Sequence, residues 1–171
     1  MRIALRSTPA LALGLACLTL PGSDLGTLVS VTESTWPDKN HIGVVCNAAA
    51  NRQELETLRE AAAPGTLITV VNTRSTRENG AAANTLRQHK VNYLVMLPGD
   101  RVMNGGGPET AMLVHNLANH GIFSVGTTPR AVKQGAVLAI GAATGGELLL
   151  TDRMVGTISV ILPQKASVAP R

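Results

Sequence analysis

Between residues 42 and 141, short apolar runs alternate with longer amphipathic stretches, and brief polar turns separate the two. Residues 42–46 lead to 51–62, residues 67–71 to 76–89, and residues 93–97 to 108–120. Two more apolar runs, at 122–125 and 136–140, bring the strand count to five. Strands that alternate with helices at this interval need right-handed crossovers, so the sheet is expected to be mostly parallel with helices on both faces. The predicted fold is a three-layer α/β/α unit, a Rossmann-like single lobe with a mostly parallel sheet of about five strands. In the commonest winding of such units the first strand, here the one starting at Ile42, lies centrally between the second and the third.

The helical stretches carry the matching pattern. The first puts Leu55, Leu58 and Ala62 on one face and Glu54, Glu56 and Arg59 elsewhere, as an amphipathic helix on a sheet requires. The second turns Ala82, Ala83 and Leu86 inward, and the third carries Leu113, Val114 and Leu117 between Pro108 and Gly121, ordinary start and stop residues. Ahead of this unit, residues 1–22 read as a secretory or lipoprotein leader. Arg2 and Arg6 precede an apolar run over 10–20, followed by Pro21-Gly22-Ser23. Gly14-Leu15-Ala16-Cys17 has the outline of a lipoprotein cleavage box, with Gly14 where a bulky aliphatic residue is usual. The apolar run is too short to cross a bilayer. A first helix or strand of the fold is the alternative for this segment. Residues 23–40, with Gly26, Pro37 and several Ser and Thr, read as a linker or edge segment. Residues 41–163 form the expected lobe, and 164–171 a frayed tail.

Composition narrows the function classes. At 171 residues the chain has the bulk for one domain with a real core. Aromatic residues are only 2% (Trp36, Tyr93 and Phe123), so the core must be built from Ala, Val, Leu and Ile. So few rings also weigh against a site that stacks bases, sugars or aromatic amines. The formal charge is +4, but the basic residues are scattered along the chain without a Lys/Arg run, and no nucleic-acid partner is expected. Cys17 and Cys46 are the two cysteines; if Cys17 leaves with a leader, Cys46 has no partner and no disulfide framework is implied.

Candidate chemistry lies just past the strands, on the edge where open sheets bind ligands. The five turns are Cys46-Asn47-Ala48, Asn72-Thr73-Arg74-Ser75, Pro98-Gly99-Asp100-Arg101, Gly126-Thr127-Thr128 and Gly141-Ala142-Ala143-Thr144. From them Asn47, Thr73, Arg74, Asp100 and Thr127 are the candidate ligand-binding residues. Arg74 suits a carboxylate, Asp100 an amino group, and Thr127 the rim. The competing reading is that these are turn and cap residues, with Arg74 and Asp100 pairing across the edge. No nucleophile elbow, phosphate loop or dinucleotide fingerprint is present. Asn104-Gly105-Gly106-Gly107 precedes a helix and its amides can face an anion, but it lacks the Lys and Ser/Thr of nucleotide chemistry, and a loop is the simpler reading. His115 and His120 stand about 140° apart around a helix, a poor metal pair. His41 and His89 fall at strand starts, away from the expected site. A Cys46 nucleophile needs a nearby His and acid that the spacing does not assure. No catalytic residue, metal or cofactor is therefore expected.

Three segments resemble a known family. Trp36-Pro37-Asp38-Lys39-Asn40-His41-Ile42-Gly43-Val44-Val45-Cys46-Asn47 is similar to the passage from hinge to second lobe in ABC-transporter substrate-binding proteins of the type I periplasmic-binding-protein-like superfamily. Val91-Asn92-Tyr93-Leu94-Val95-Met96-Leu97-Pro98-Gly99-Asp100 resembles their third strand, which ends at an Asp. Residues 122–126 and 131–141 resemble their segment of valine, lysine, any residue, glycine and alanine. The resemblance runs from about residue 36 to 163 and implies a two-lobed relative of which this chain supplies the carboxy-terminal lobe. It also implies an exported, periplasmic or membrane-anchored, non-catalytic solute-binding domain. Its partners would be a small polar solute and an ABC permease, with self-association covering the face of the absent lobe. A regulatory or structural interaction domain that kept the fold without a ligand is the alternative. A small enzyme using Cys46 or Asp100 is a further one.

Overall fold

The computed structural model describes residues 24–105 and 107–151, together with the backbone of residues 166–168. The expected leader at 1–22 and the apolar stretch at 157–162 lie outside the described residues.

Seven strands form one sheet: β1 (His41–Cys46), β2 (Leu67–Asn72), β3 (Tyr93–Met96), β4 (Phe123–Gly126), β5 (Leu138–Ala139), β6 (Leu148–Leu150) and β7 (Ala166–Val168). Their order is β2-β1-β3-β4-β5-β6-β7. The first five run parallel, with β1 between β2 and β3 as the winding rule predicts. The sheet then goes beyond the expected five: β6 turns back antiparallel to β5, and β7 lies parallel to β6. Strand β7 falls within 164–171, the stretch that reads as a frayed tail. Ala166-Ser167-Val168 has no run of apolar letters to announce it, and it is a strand because β6 offers an edge to pair with.

Alternation along the central strands divides the core between two faces. Ile42, Val44 and Cys46 of β1, with Tyr93 and Val95 of β3, point into a layer closed by α1 (Asp24–Thr35) and α2 (Arg52–Ala61). Val45, Leu94 and Met96 point the other way, under α3 (Asn79–Gln88), α4 (Arg101–Asn104), α5 (Pro108–Asn119) and α6 (Pro129–Lys133). Helix α5 begins with Pro108 at its first turn and buries Leu113, Val114 and Leu117, the face its spacing predicts. Among the described residues no helix is long and apolar enough to cross a membrane.

Helix α1 replaces the linker expected over 23–40. It buries Leu25, Leu28, Val29, Thr32 and Thr35 against the sheet. Two of these are polar letters made compatible with burial, because Thr32 Oγ1 donates to Leu28 O and Thr35 Oγ1 to Val31 O, each at 2.7 Å.

Gly43 marks the closest approach of helix to sheet. A Cβ built there would stand 2.7 Å from Val91 Cγ1 and 2.9 Å from Leu86 Cδ2, and both of those side chains are buried. Gly43→Ala is expected to cost about 1–3 kcal/mol by overpacking, read as a lowered urea midpoint with unchanged slope. A neutral result would mean that α3 shifts freely over β1.

Candidate functional site

Chain order reverses between β1 and β3, and at such a switch point the loops leaving the two strands diverge from one another and open a crevice at the carboxyl edge. Asp100, in the loop that leaves β3 at this point, is buried to 1% exposure. Its Oδ1 accepts from Asn47 N at 3.2 Å and from Asn51 Nδ2 at 2.8 Å, and its Oδ2 accepts from Met103 N at 2.8 Å as the cap of α4. One carboxylate thus ties the β1 loop, the start of α2 and the β3 loop together. Asn51 in turn holds Asn47 O through Nδ2 at 2.8 Å.

Glu54 faces this knot from the first turn of α2. Its Oε1 accepts from Gly99 N at 3.0 Å, and a Cβ on Gly99 would sit 2.5 Å from that same oxygen. Glycine at 99 is what lets the carboxylate reach the backbone. Its other oxygen, Oε2, is buried and has no hydrogen-bond partner. Burial pushes the Glu54 carboxyl above the ordinary range and Asp100 adds to the rise, while the Gly99 N–H opposes it.

Cys46 closes β1 beneath these two acids. Burial first, then Asp100 and Glu54, pushes its thiol up to about 12. A fully buried thiol of that kind is protonated at neutral pH and is a poor nucleophile. Alkylation at pH 8, followed by mass spectrometry of the peptide that contains Cys46, should show almost no label on the folded protein and complete label in denaturant. Rapid labelling of the native protein would restore Cys46 as a reactive group.

The structure places the five candidates unevenly. Asn47 and Asp100 are brought into direct contact. Thr73 lies beside them, its N–H on Cys46 O at 2.9 Å and its buried hydroxyl without a partner. Thr127 also has a buried hydroxyl without a partner, on the loop after β4, where a Cβ on Gly141 would meet Thr127 O at 2.8 Å. Arg74 is exposed at the end of β2, where its N–H donates to Glu78 Oε2 at 3.1 Å. It forms no ion pair with Asp100; among the described residues the one ion pair is the exposed Arg59–Glu56 contact. Asn51 and Glu54 belong to the site as well, although the sequence pattern marked neither, and so does Gly99 from the turn that carries Asp100. Asn51, one helical turn after Asn47, was the available signal. Among the described residues no three His, Cys, Asp or Glu side chains converge as a metal site.

No protein-family model and no curated protein matches the chain. Among solved structures it is similar to an ABC domain from Streptococcus pneumonia in complex with L-Trp, with 15% identity and a TM-score of 0.63, over 80% of this chain and 56% of that one. It is also similar to the ligand-free, open structure of a substrate binding protein with adhesive properties from Clostridium difficile. There the identity is 12% and the TM-score 0.64, over 82% of this chain and 58% of that one. The fold is that of substrate-binding proteins. The chain spans just over half the length of each of these two, in keeping with a single lobe.

Proposed function

We propose that this chain is a non-catalytic solute-binding domain that takes a small polar solute, an amino acid or an organic acid, at the carboxyl edge of its sheet. One observation carries the reading: at the carboxyl edge Glu54 Oε2 and Thr73 Oγ1 are buried without partners, while the neighbouring Asp100 carboxylate is held by three N–H groups. A buried polar atom left unpaired costs about 1–3 kcal/mol, and a ligand that supplies N–H and O groups relieves that cost. The fold shared with substrate-binding proteins, and the L-Trp in one of those structures, support the same reading.

Arg74 anchors a solute carboxylate, and Glu54 Oε2 accepts from its amino group. Asp100 and Asn47 act by holding the two loops in place, while Thr73 and Thr127 offer hydroxyls. Asp100 is not the amine acceptor in this scheme, because its carboxylate is buried to 1% exposure and is held by three protein N–H groups. The raised Glu54 carboxyl couples binding to pH. Its contribution to stability is complete below the ordinary carboxylate range and is lost as pH rises through the raised value. An ammonium group beside it offsets that loss. A single lobe supplies half of a cleft, so the domain works paired with a second copy or as an exported accessory of an ABC uptake system.

A calorimetric screen of amino acids and small carboxylates tests the proposal. Arg74→Ala should weaken the best solute by about 1.5–3 kcal/mol, the worth of a charge-assisted hydrogen bond, while the thermal midpoint stays in place. Silence from the wild-type protein removes the reading. It then favours a regulatory or structural interaction domain, to which the hold of three N–H groups on Asp100 already points.

A further inference from the structure

The basic residues that are scattered in the sequence are gathered by the fold at the opposite, amino edge of the sheet. Lys39 from the turn after α1, Arg87 and Lys90 from the end of α3, and His120 from the end of α5 line an open depression of about 380 Å³. Its polar floor is Asn92, and no carboxylate lines it. Asn92 Oδ1 accepts from His41 N at 3.0 Å, which leaves Nδ2 as the donor for a ligand.

Cations at helix carboxyl ends often do no more than complement the helix dipole. Two helix ends contribute roughly half a negative charge each, less than the three formal charges that converge here. Lys39 lies outside any helix, with its Nζ 5.9 Å from the centroid of the Phe123 ring, so its place is set by that ring and not by a helix dipole. The backbone of Lys90 adds an independent observation. Its φ is +55°, the one positive value at a residue other than glycine among the described residues. That left-handed position after a helix is ordinarily given to glycine or asparagine. The chain holds a lysine there despite the strain, and strained positions of this kind cluster at binding sites.

We propose that this depression binds a multiply charged oxyanion, of which inorganic phosphate is the simplest. Lys39 and Lys90 act as point charges, Arg87 presents its planar fork to two oxygens, and Asn92 Nδ2 adds a neutral donor. The same chemistry recognises a free phosphate, a phosphorylated solute or the phosphomonoester headgroup of an anionic lipid. The site is on the edge away from Glu54 and Asp100, so this proposal and the solute-binding reading stand or fall separately.

The test is calorimetric titration of the full chain with inorganic phosphate at low ionic strength, against sodium chloride matched in ionic strength. The wild-type protein should bind phosphate saturably, and the Arg87→Gln/Lys90→Gln double variant should bind it about tenfold more weakly. Both side chains are exposed, so the fold should survive. Lys90→Gly is the second control: it removes a charge and relieves the left-handed backbone, so it should melt higher than wild type yet bind phosphate less well. Sedimentation with phosphatidic acid vesicles, set against phosphatidylcholine, separates the sources. Capture that the double variant loses assigns the site to a lipid headgroup, and phosphate binding without capture assigns it to a free anion. A wild-type protein that ignores both phosphate and anionic vesicles overturns the proposal, as does binding unchanged in both variants.

Discussion

Asp100→Ala should destabilise the folded protein by about 3–5 kcal/mol, because three hydrogen bonds to one charged, buried group are lost together. The carboxylate joins Asn47 N, Asn51 Nδ2 and Met103 N, and each donor is left facing a void or an intruding water. The β1 loop, the start of α2 and the start of α4 loosen at once, so the loss exceeds that of any single cap. Asp100→Asn keeps one acceptor oxygen but turns an NH2 toward donors, and it should recover part of the loss at most. Urea unfolding at neutral pH reads both variants as shifts in midpoint at constant slope. An Asp100→Ala protein within about 1 kcal/mol of wild type would show that the loops hold their places without it.

Leu28→Ala is the second large effect, about 2–5 kcal/mol. Leu28 has no exposed surface and belongs to the layer that holds Ile42, Val44, Tyr93 and Val95. Truncating it opens a cavity between α1 and the central strands. As a surface control, Ser34→Ala on the exposed side of α1 removes only a hydroxyl bonded to Ser30 O and should stay within about 0.5 kcal/mol. If both variants unfold like wild type, α1 is peripheral and the segment before β1 is the linker its composition suggested.

The contrast shows what the letters carry. Runs such as Val44-Val45 and Leu94-Val95-Met96 are apolar on both faces because both faces are covered, so the parallel strands were legible, and the winding rule gave the central place of β1. Helix α1 was not, since two of its buried positions are threonines whose hydroxyls bond back within the helix. No pattern of apolar letters records that. At the candidate site, the meeting of Asn47 with Asp100 follows from the switch-point rule. Glu54 does not: on a helical wheel it stands about 40° from Leu58, at the border of the buried face, where a charged letter reads as the ordinary edge of an amphipathic helix. It enters the site only through the reach to Gly99 N, a contact between residues far apart in sequence.

Strand β2 ends the sheet, and among the described residues it pairs only with β1. Its six residues, Leu67-Ile68-Thr69-Val70-Val71-Asn72, carry no charge and no proline, and Leu67 is 60% exposed. Such a rim invites a strand from another molecule to add to it, the route by which soluble proteins turn into fibrous deposits. Between Glu60 and Arg74 the sequence has no charged side chain, so Arg74 is the gatekeeper of that rim. Replacing it with alanine removes the proposed solute anchor and a colloidal safeguard in one step. Arg74→Lys keeps the safeguard while it discards the planar fork, and comparing turbidity in the two variants separates a sticky edge from a lost ligand.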